Sequence, residues 1–181
     1  MSLLLVGCQE VDTPQGFVEG EEYAFDMNVM LSGMDDIQTR AFRDNVTDFP
    51  PLWLVVFDNN GYFVEAAKAT NFSREGNVTN FSVVLTATSQ PRIVHLLLNY
   101  VDDSVSDLGL EYEHENNLIG SMVVSGDRDV YWQRVEVPGG INEASINSSM
   151  VKVPLLRNFL KIAVHNNCDY FSLTGFYVMN V

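Results

Sequence analysis

Apolar and polar residues alternate along much of the chain, which is the pattern of β-strands with one buried face. The clearest case is the segment EYAFDMNVML, from Glu22 to Leu31. Asp26 and Asn28 fall on one face of this segment, and the apolar side chains fall on the other. That apolar face consists of Tyr23, Phe25, Met27, Val29 and Leu31. The segment therefore predicts a strand that faces the core on one side and solvent on the other.

A β-hairpin is predicted in the segment LWLVVFDNNGYFVEA. An apolar run from Leu52 to Phe57 is followed by Asn60-Gly61 and then by a second run from Tyr62 to Ala66. An Asn-Gly pair between two such runs is typical of a type I′ turn, in which both central residues take a positive φ. The two runs are therefore expected to pair as antiparallel neighbours.

Six more segments complete the predicted sheet: NVTNFSVVLTATS, RIVHLLLNY, LIGSMVVSG, DVYWQRVEV, LLRNFLKIAVHN and YFSLTGFYVMNV. The first of these alternates, with Phe81, Val83 and Leu85 on one face, whereas RIVHLLLNY is a continuous apolar run typical of a strand covered on both faces. Residues 103–115 break the pattern and predict a short helix or an acidic excursion. The spacing and the Gly, Pro and Asn punctuation predict an all-β fold, an antiparallel β-sandwich of seven to nine strands.

Charge and length restrict the classes of function. The 181 residues suffice for one domain with a hydrophobic core. Twenty-four Asp and Glu residues stand against ten Lys and Arg residues, giving a net charge of −14. Such a surface repels phosphates, and no Lys/Arg cluster offsets the repulsion locally, so nucleic acid is excluded as a partner. No apolar run reaches the roughly 18–20 residues of a transmembrane helix.

The first residues, MSLLLVGC, resemble the end of a bacterial lipoprotein signal. The stretch from Leu5 to Cys8 is similar to a lipobox, in which small residues precede a cysteine that receives the lipid. Residues 1–21 are therefore interpreted as a truncated lipoprotein signal and a flexible tether, with Cys8 as the lipidation site. The alternative is that SLLLV is an ordinary buried strand. Cys168 is interpreted as a small buried hydrophobic residue, although a bridge to Cys8 stays open.

No catalytic constellation emerges from the sequence. The histidines share no metal-ligand spacing: His95, His114 and His165. Asp58, Asn60 and Glu65 have a superficial likeness to a calcium loop, but their spacing is wrong and hairpin chemistry explains them. We therefore predict no catalytic residue, no metal and no cofactor, and expect a protein that is not an enzyme.

An ordered set of segments resembles the N-terminal domain of the fimbrillins, the lipoprotein subunits of Bacteroidia type V pili. DIQTRAF follows the first predicted strand, LWLVVFDNNGYFVEA comes next, and VPLLRNFLKIAVHNNCDYFSLTGFYVMNV lies near the end of the chain. RIVHLLLNY and GSMVVSG fall between them in the expected order. The resemblance covers most of the chain after Glu22.

The resemblance implies a transthyretin-like sandwich and a mode of assembly. Fimbrillins reach the outer membrane as lipoproteins, and an Arg-specific protease removes their N-terminal segment together with the first strand. By position, the cleavage point is Arg40-Ala41, with Arg43 as a nearby competitor, and the strand that leaves runs from Tyr23 to Leu31. The groove that opens accepts a donor strand from another pilin subunit.

The expected function is that of a structural subunit or anchor of cell-surface fimbriae, with a role in adhesion and a ligand on a host or bacterial surface as a further partner. Residues 22–181 are expected to form a single sandwich domain, without the second domain that full fimbrillins carry. One alternative is a glycan-binding surface lipoprotein, for which Trp53 and Trp132 are the candidate aromatics. A hydrolase using two carboxylates is the last alternative.

Overall fold

The computed structural model describes residues 17–31, 49–100, 113–121 and 130–157, which contain eight strands and two short helices. In chain order these are β1 (Glu22–Leu31), β2 (Leu52–Asp58), β3 (Phe63–Lys68), β4 (Thr70–Glu75), β5 (Val78–Thr86), β6 (Arg92–Leu98), α1 (Glu115–Ser121), β7 (Tyr131–Val137), α2 (Glu143–Ser149) and β8 (Val153–Arg157).

The eight strands form one sheet with the order β3-β2-β6-β7-β8-β1-β5-β4, which folds over a common core. β3 also reaches β5 across the fold, where the Glu65 carboxylate accepts hydrogen bonds from the backbone N–H and the hydroxyl of Thr86 (3.1 and 2.9 Å). The prediction of an all-β, sandwich-like fold is confirmed, and the described residues supply eight strands. It differs in one respect, because β1 and β8 pair in parallel while the other pairs are antiparallel.

The main core lies between the two halves of the folded sheet. β1 and β5 present alternate side chains to it, and β2 and β6 present theirs from the facing half. β1 follows its predicted boundaries and its predicted face, with Phe25, Met27, Val29 and Leu31 buried and Tyr23 half-buried. The strand therefore belongs to the core and is not a peripheral addition.

A second, smaller cluster covers the outer face of β2 and β6. It contains Trp53, Val55, Phe57, Ile93, Leu97 and Leu118, of which Leu118 comes from α1. Because apolar side chains pack on both faces of β6, the continuous run RIVHLLL is buried except at Arg92. The prediction of a strand covered on both faces is confirmed.

The β2–β3 hairpin forms as predicted, but its turn is of another type. Gly61 N–H donates to Asp58 O (3.0 Å), and of the pair Asn60-Gly61 only Gly61 has a positive φ (85°). The Asp58 carboxylate accepts from the N–H groups of Asn60 (2.8 Å) and Tyr62 (2.9 Å) and so stabilises this wider turn. The prediction of a type I′ turn was therefore wrong.

Three other elements differ from the sequence prediction. β4 was not predicted, because its exposed edge position gives it no apolar alternation. α2 was also missed, although Asn142 caps it by accepting from Ser145 N–H (3.0 Å). Leu118 to Ser121 were assigned to a strand but belong to α1, which begins at Glu115, at the end of the predicted helix or acidic excursion.

Gly140 holds the loop after β7 close to the loop after β5. It has a φ of 76°, and a Cβ at this position would collide with the carbonyl oxygen of Thr88 and lie 2.8 Å from that of Gln90. The adjacent residue, Ile141, forms a β-bridge with Thr88. Only glycine permits both the backbone conformation and this approach.

We expect Gly140→Ala to lower the free energy of unfolding by at least about 2–3 kcal/mol, because it adds a backbone collision to left-handed strain. Gly76→Ala is the matched control: Gly76 has a φ of 61°, and a Cβ there would meet nothing within 4 Å. That variant should lose only about 1 kcal/mol. Urea unfolding of both variants measures the difference, and equal losses would contradict the steric explanation.

Candidate functional site

β1 occupies an interior position in the sheet, between β5 and β8. It pairs antiparallel with β5 over nine residues, from Glu22–Thr86 to Met30–Val78. It pairs parallel with β8 over three residues, from Val29–Val153 to Leu31–Leu155. We call the space that β1 fills, bounded by β5, β8 and the facing β-strands, the β1 groove. Removal of β1 would leave the β1 groove open to solvent along its whole length.

The inward face of β1 contributes much of the apolar burial in the β1 groove. Phe25, Met27, Val29 and Leu31 are each at most 4% exposed. At about 1.5–3 kcal/mol for each fully buried large side chain, these four contribute about 6–12 kcal/mol as an upper estimate. This is comparable to the whole stability of a typical domain, about 5–15 kcal/mol. An empty β1 groove would therefore be a strongly unfavourable state.

The edge of β1 opposite β5 is covered by two different elements. Residues from Val29 to Leu31 pair there with β8, and α2 packs against both β1 and β7. Ile146 of α2 and the flanking residues Ile141 and Met150 are buried in the same core as β1. β1 is thus hydrogen-bonded to strands on both sides only near its C-terminal end.

The residues ahead of β1 extend its attachment. Gly20 N–H donates to Ala87 O, and Ala87 N–H donates to Glu21 O (both 2.8 Å). The Glu19 carboxylate accepts from the Thr88 hydroxyl (2.5 Å) and from Ser89 N–H (2.7 Å), and these two bonds lower the pKa of Glu19.

Phe17 also belongs to this attachment, because its ring packs edge-on against the ring of Tyr23, with 4.5 Å between the centroids. The described part of the predicted tether therefore lies on the sheet. Beside it is an open cleft of about 490 Å³, lined by Phe17, Glu19, residues 87–89 and residues of α2.

The outward face of β1 makes two polar contacts on opposite edges. Asp26 accepts a hydrogen bond from the hydroxyl of Ser82 on β5 (2.7 Å), its register partner. Asn28 accepts through its side-chain oxygen from the backbone N–H of Lys152, the residue before β8. Lys152 has a positive φ of 50°.

A buried polar cluster lies on the other half of the sheet. His95 of β6 is fully buried, with its Nε2 2.9 Å from Glu115 Oε2 and its Nδ1 3.0 Å from Trp132 Nε1. Arg134 donates from Nε to Glu115 Oε2 (2.9 Å) and from a terminal nitrogen to Glu136 (2.7 Å). The cluster links the start of α1 to β6 and β7.

The hydrogen bonds fix the protonation of His95. The indole N–H of Trp132 can only donate, so Nδ1 must accept and the proton must lie on Nε2, which donates to Glu115. Burial lowers the pKa of His95, and the Arg134 guanidinium lowers the pKa of Glu115. With both ring nitrogens already bonded, His95 joins neighbouring elements and is not free to accept a proton from a substrate.

Several predicted site residues lie outside the described residues: Cys8, Arg40, Ala41, Arg43, His165 and Cys168. The Asp58 carboxylate stabilises the turn of the β2–β3 hairpin, and the Glu65 carboxylate joins β3 to β5. The two carboxylates do not converge on a common cation site. Within residues 17–31, 49–100, 113–121 and 130–157, no group of acidic, His and Cys side chains is placed to hold a metal ion. No helix in those ranges is long and apolar enough to cross a membrane.

The candidate aromatics of the glycan-binding alternative are not exposed together. Trp53 is 3% exposed, and Trp132 is half-buried with its N–H bonded to His95. Among the aromatic side chains that the structure describes, Tyr62 is the exposed one, and its ring lies edge-on to His114. Among the described residues, the two candidate tryptophans therefore do not form an exposed aromatic pair.

Comparison of the chain with protein families, with curated proteins and with solved structures gives no match. Function is therefore inferred from the geometry of the β1 groove and from the chemistry of the chain.

Two methionines of β1 provide a matched test of the β1 groove. Met27 faces the core and is 3% exposed, whereas Met30 lies on the outward face and is half-buried. Met27→Ala should lower the free energy of unfolding by about 2–5 kcal/mol because it creates a cavity. Met30→Ala should cost less than about 1 kcal/mol, although it removes the same atoms. Chemical denaturation measures both, and similar losses would contradict the assignment of the two faces.

Because the imidazole of His95 is buried, we expect the stability of the folded protein to fall in acid. The pKa of His95 is lowered in the folded state, so as the pH falls below about 6.5 the unfolded chain takes up the proton first and stability is lost. His95→Gln should be less stable than the parent at pH 7 but should lose less stability between pH 7 and pH 5. Denaturant midpoints across this range measure the slope.

His114→Gln is the comparison variant, because it removes a histidine that contacts the β2–β3 hairpin and retains the buried His95. If the parent and His95→Gln had the same slope between pH 7 and pH 5, the assignment of the acid sensitivity to His95 would be wrong.

Proposed function

We propose that the chain is a structural subunit or anchor of cell-surface fimbriae, and that it assembles by strand exchange after its first strand is removed. The observation that carries the proposal is the position of β1 between β5 and β8, with its apolar face in the core. Loss of β1 would open the sheet in its interior and expose the edges of two strands at once. A complementary strand from another subunit would restore both sets of hydrogen bonds by strand addition.

The segment after β1 supplies the processing step. Residues 32–48 join β1 to the rest of the sheet and contain Arg40, followed by Ala41. Cleavage there would leave β1 held by non-covalent contacts alone. Those contacts are large in sum, so exchange requires an incoming strand that replaces most of them as it enters. Arg43 is the competing cleavage point.

The N-terminal sequence supplies the anchoring step. In this proposal Cys8 carries a lipid that fixes the protein to the outer membrane, and residues 9–16 act as the tether. The partners are other pilin subunits, the outer membrane and a ligand on a host or bacterial surface, and the role is adhesive. The acidic net charge of −14 keeps such an exposed protein soluble and disfavours nucleic acid.

A trace of Arg-specific protease tests the processing step on the folded chain. We expect one cut, with a new N-terminus at Ala41, read by intact mass and N-terminal sequencing. Arg40→Gln should abolish this cut, and the matched control Arg43→Gln should leave it unchanged. The cleaved protein should then bind a fluorescent synthetic copy of residues 22–32, whereas the uncleaved protein should not.

Two results would count against the proposal. One is resistance at Arg40 in the folded chain, and the other is scattered cleavage with loss of the fold. Resistance would favour an anchor that keeps its first strand, or the glycan-binding alternative, over a strand-exchanging subunit.

A further inference from the structure

The apolar face of β1 does not by itself fix how a strand lies in the β1 groove. A slip of one residue would turn the polar face inward and is excluded. A slip of two residues keeps apolar side chains inward, because apolar residues occupy every second position from Tyr23 to Leu31. The alternation of apolar residues alone therefore does not distinguish the native register from registers displaced by two residues.

The two polar contacts of the outward face make this distinction, each in one direction. A slip that carries Asp26 to the place of Asn28 also carries Ala24 to the place of Asp26. Lys152 N–H then keeps an acceptor, but the Ser82 hydroxyl loses its partner. The opposite slip carries Asn28 to the place of Asp26 and Met30 to the place of Asn28. Ser82 then keeps an acceptor, and Lys152 N–H loses its own.

The two outward contacts of β1 lie on opposite sides of the β1 groove. Ser82 belongs to β5 and Lys152 immediately precedes β8, so each of the two strands that flank the groove contributes to one contact. Lys152, which has a left-handed φ of 50°, donates its backbone N–H to the side-chain oxygen of Asn28. Any occupant that lacks an acceptor at this place leaves that N–H to solvent alone.

We propose that the β1 groove selects its occupant, and the register of that occupant, through these two acceptor positions. The partner is a strand with alternating inward apolar residues and two successive outward side chains that accept hydrogen bonds, in the pattern Asp-x-Asn of β1. The proposal rests on the proposed function, because it names the chemistry of the strand that would replace β1. Asp26 and Asn28 are specificity-determining residues of this exchange.

Disulfide trapping measures the register of a peptide that is bound in the β1 groove. Residue 24 lies opposite Val84 of β5, which is 50% exposed, so a cysteine at 84 should bond to a cysteine placed at the same level. The protein is the full chain with Val84→Cys, Cys8→Ser and Cys168→Ser, cleaved after Arg40. The probes are synthetic copies of residues 22–32 with a single cysteine at position 22, 24 or 26.

For peptides that keep both Asp26 and Asn28, we expect trapping through position 24 and not through position 22. A peptide with Asn28→Leu should bind about threefold to tenfold more weakly and should also be trapped through position 22, since Asp26 can move to Lys152. A cysteine at position 26 removes the Asp26 acceptor itself and should be trapped by the opposite slip, since Asn28 can move to Ser82. Asn28→Asp is the conservative control, because it keeps the acceptor, and it should retain parental affinity and register.

Trapping through position 24 alone for every peptide, with unchanged affinities, would overturn the proposal and assign the register to the inward side chains. Failure of even the parental peptide to bind would overturn the proposed function instead. The contact between Asn28 and the Lys152 N–H is then tested in the intact chain by measuring hydrogen exchange of the Lys152 amide. Exchange should be faster in Asn28→Leu and parental in Asn28→Asp, and equal exchange in both would contradict the inference.

Discussion

The structure depends on one insertion, that of β1 between β5 and β8. The four inward side chains from Phe25 to Leu31 fill the space between the two halves of the sheet. The backbone of β1 joins β5 to β8, so the same residues complete both the core and the ladder of hydrogen bonds. A segment near the N-terminus therefore stabilises strands that lie far from it in the sequence.

This arrangement gives a physical basis for a strand that can be exchanged. The burial on β1 is large enough to make an empty β1 groove strongly unfavourable. Within the part of the chain that the structure describes, residues 32–48 are the covalent link from β1 to the strands that follow. The non-covalent contacts that hold β1 in the sheet are thus independent of the covalent connection through residues 32–48. In the proposed exchange, cleavage of the covalent connection leaves the non-covalent contacts in place until a competing strand arrives. We infer that the outward contacts of Asp26 and Asn28 set the register of an otherwise repetitive apolar face.

The sequence predicted the elements whose pattern is local. β1 was predicted with its boundaries and its buried face, and β6 was recognised as a strand covered on both sides. β4 was missed because an exposed edge strand such as Thr70–Glu75 needs no apolar face. The stretch Leu118–Ser121 was assigned to a strand because its apolar residues are too few to define a helical period, and Leu118 in fact packs on β2 and β6 from α1.

The functional geometry was only partly predictable. Sequence reasoning led to the prediction that β1 is removed during assembly, which stays a prediction, but it gave no sign of the parallel partner of β1. The pairing of Val29 with Val153 joins residues far apart in the chain. The His95 cluster was missed for the same reason, since Glu115 and Arg134 come from separate elements. The type of turn at Gly61 depends on hydrogen bonds to the Asp58 carboxylate, and the Asn-Gly pair alone does not indicate this side-chain effect.

Native mass spectrometry of the cleaved protein tests the central claim most directly. The protein cut after Arg40 is mixed with an isotopically heavy copy of residues 22–32, and the intact complex is weighed over time. The account predicts that the domain from Ala41 onward loses the original fragment and gains one heavy peptide. Permanent retention of the original fragment, or its loss without uptake of the peptide, would contradict it.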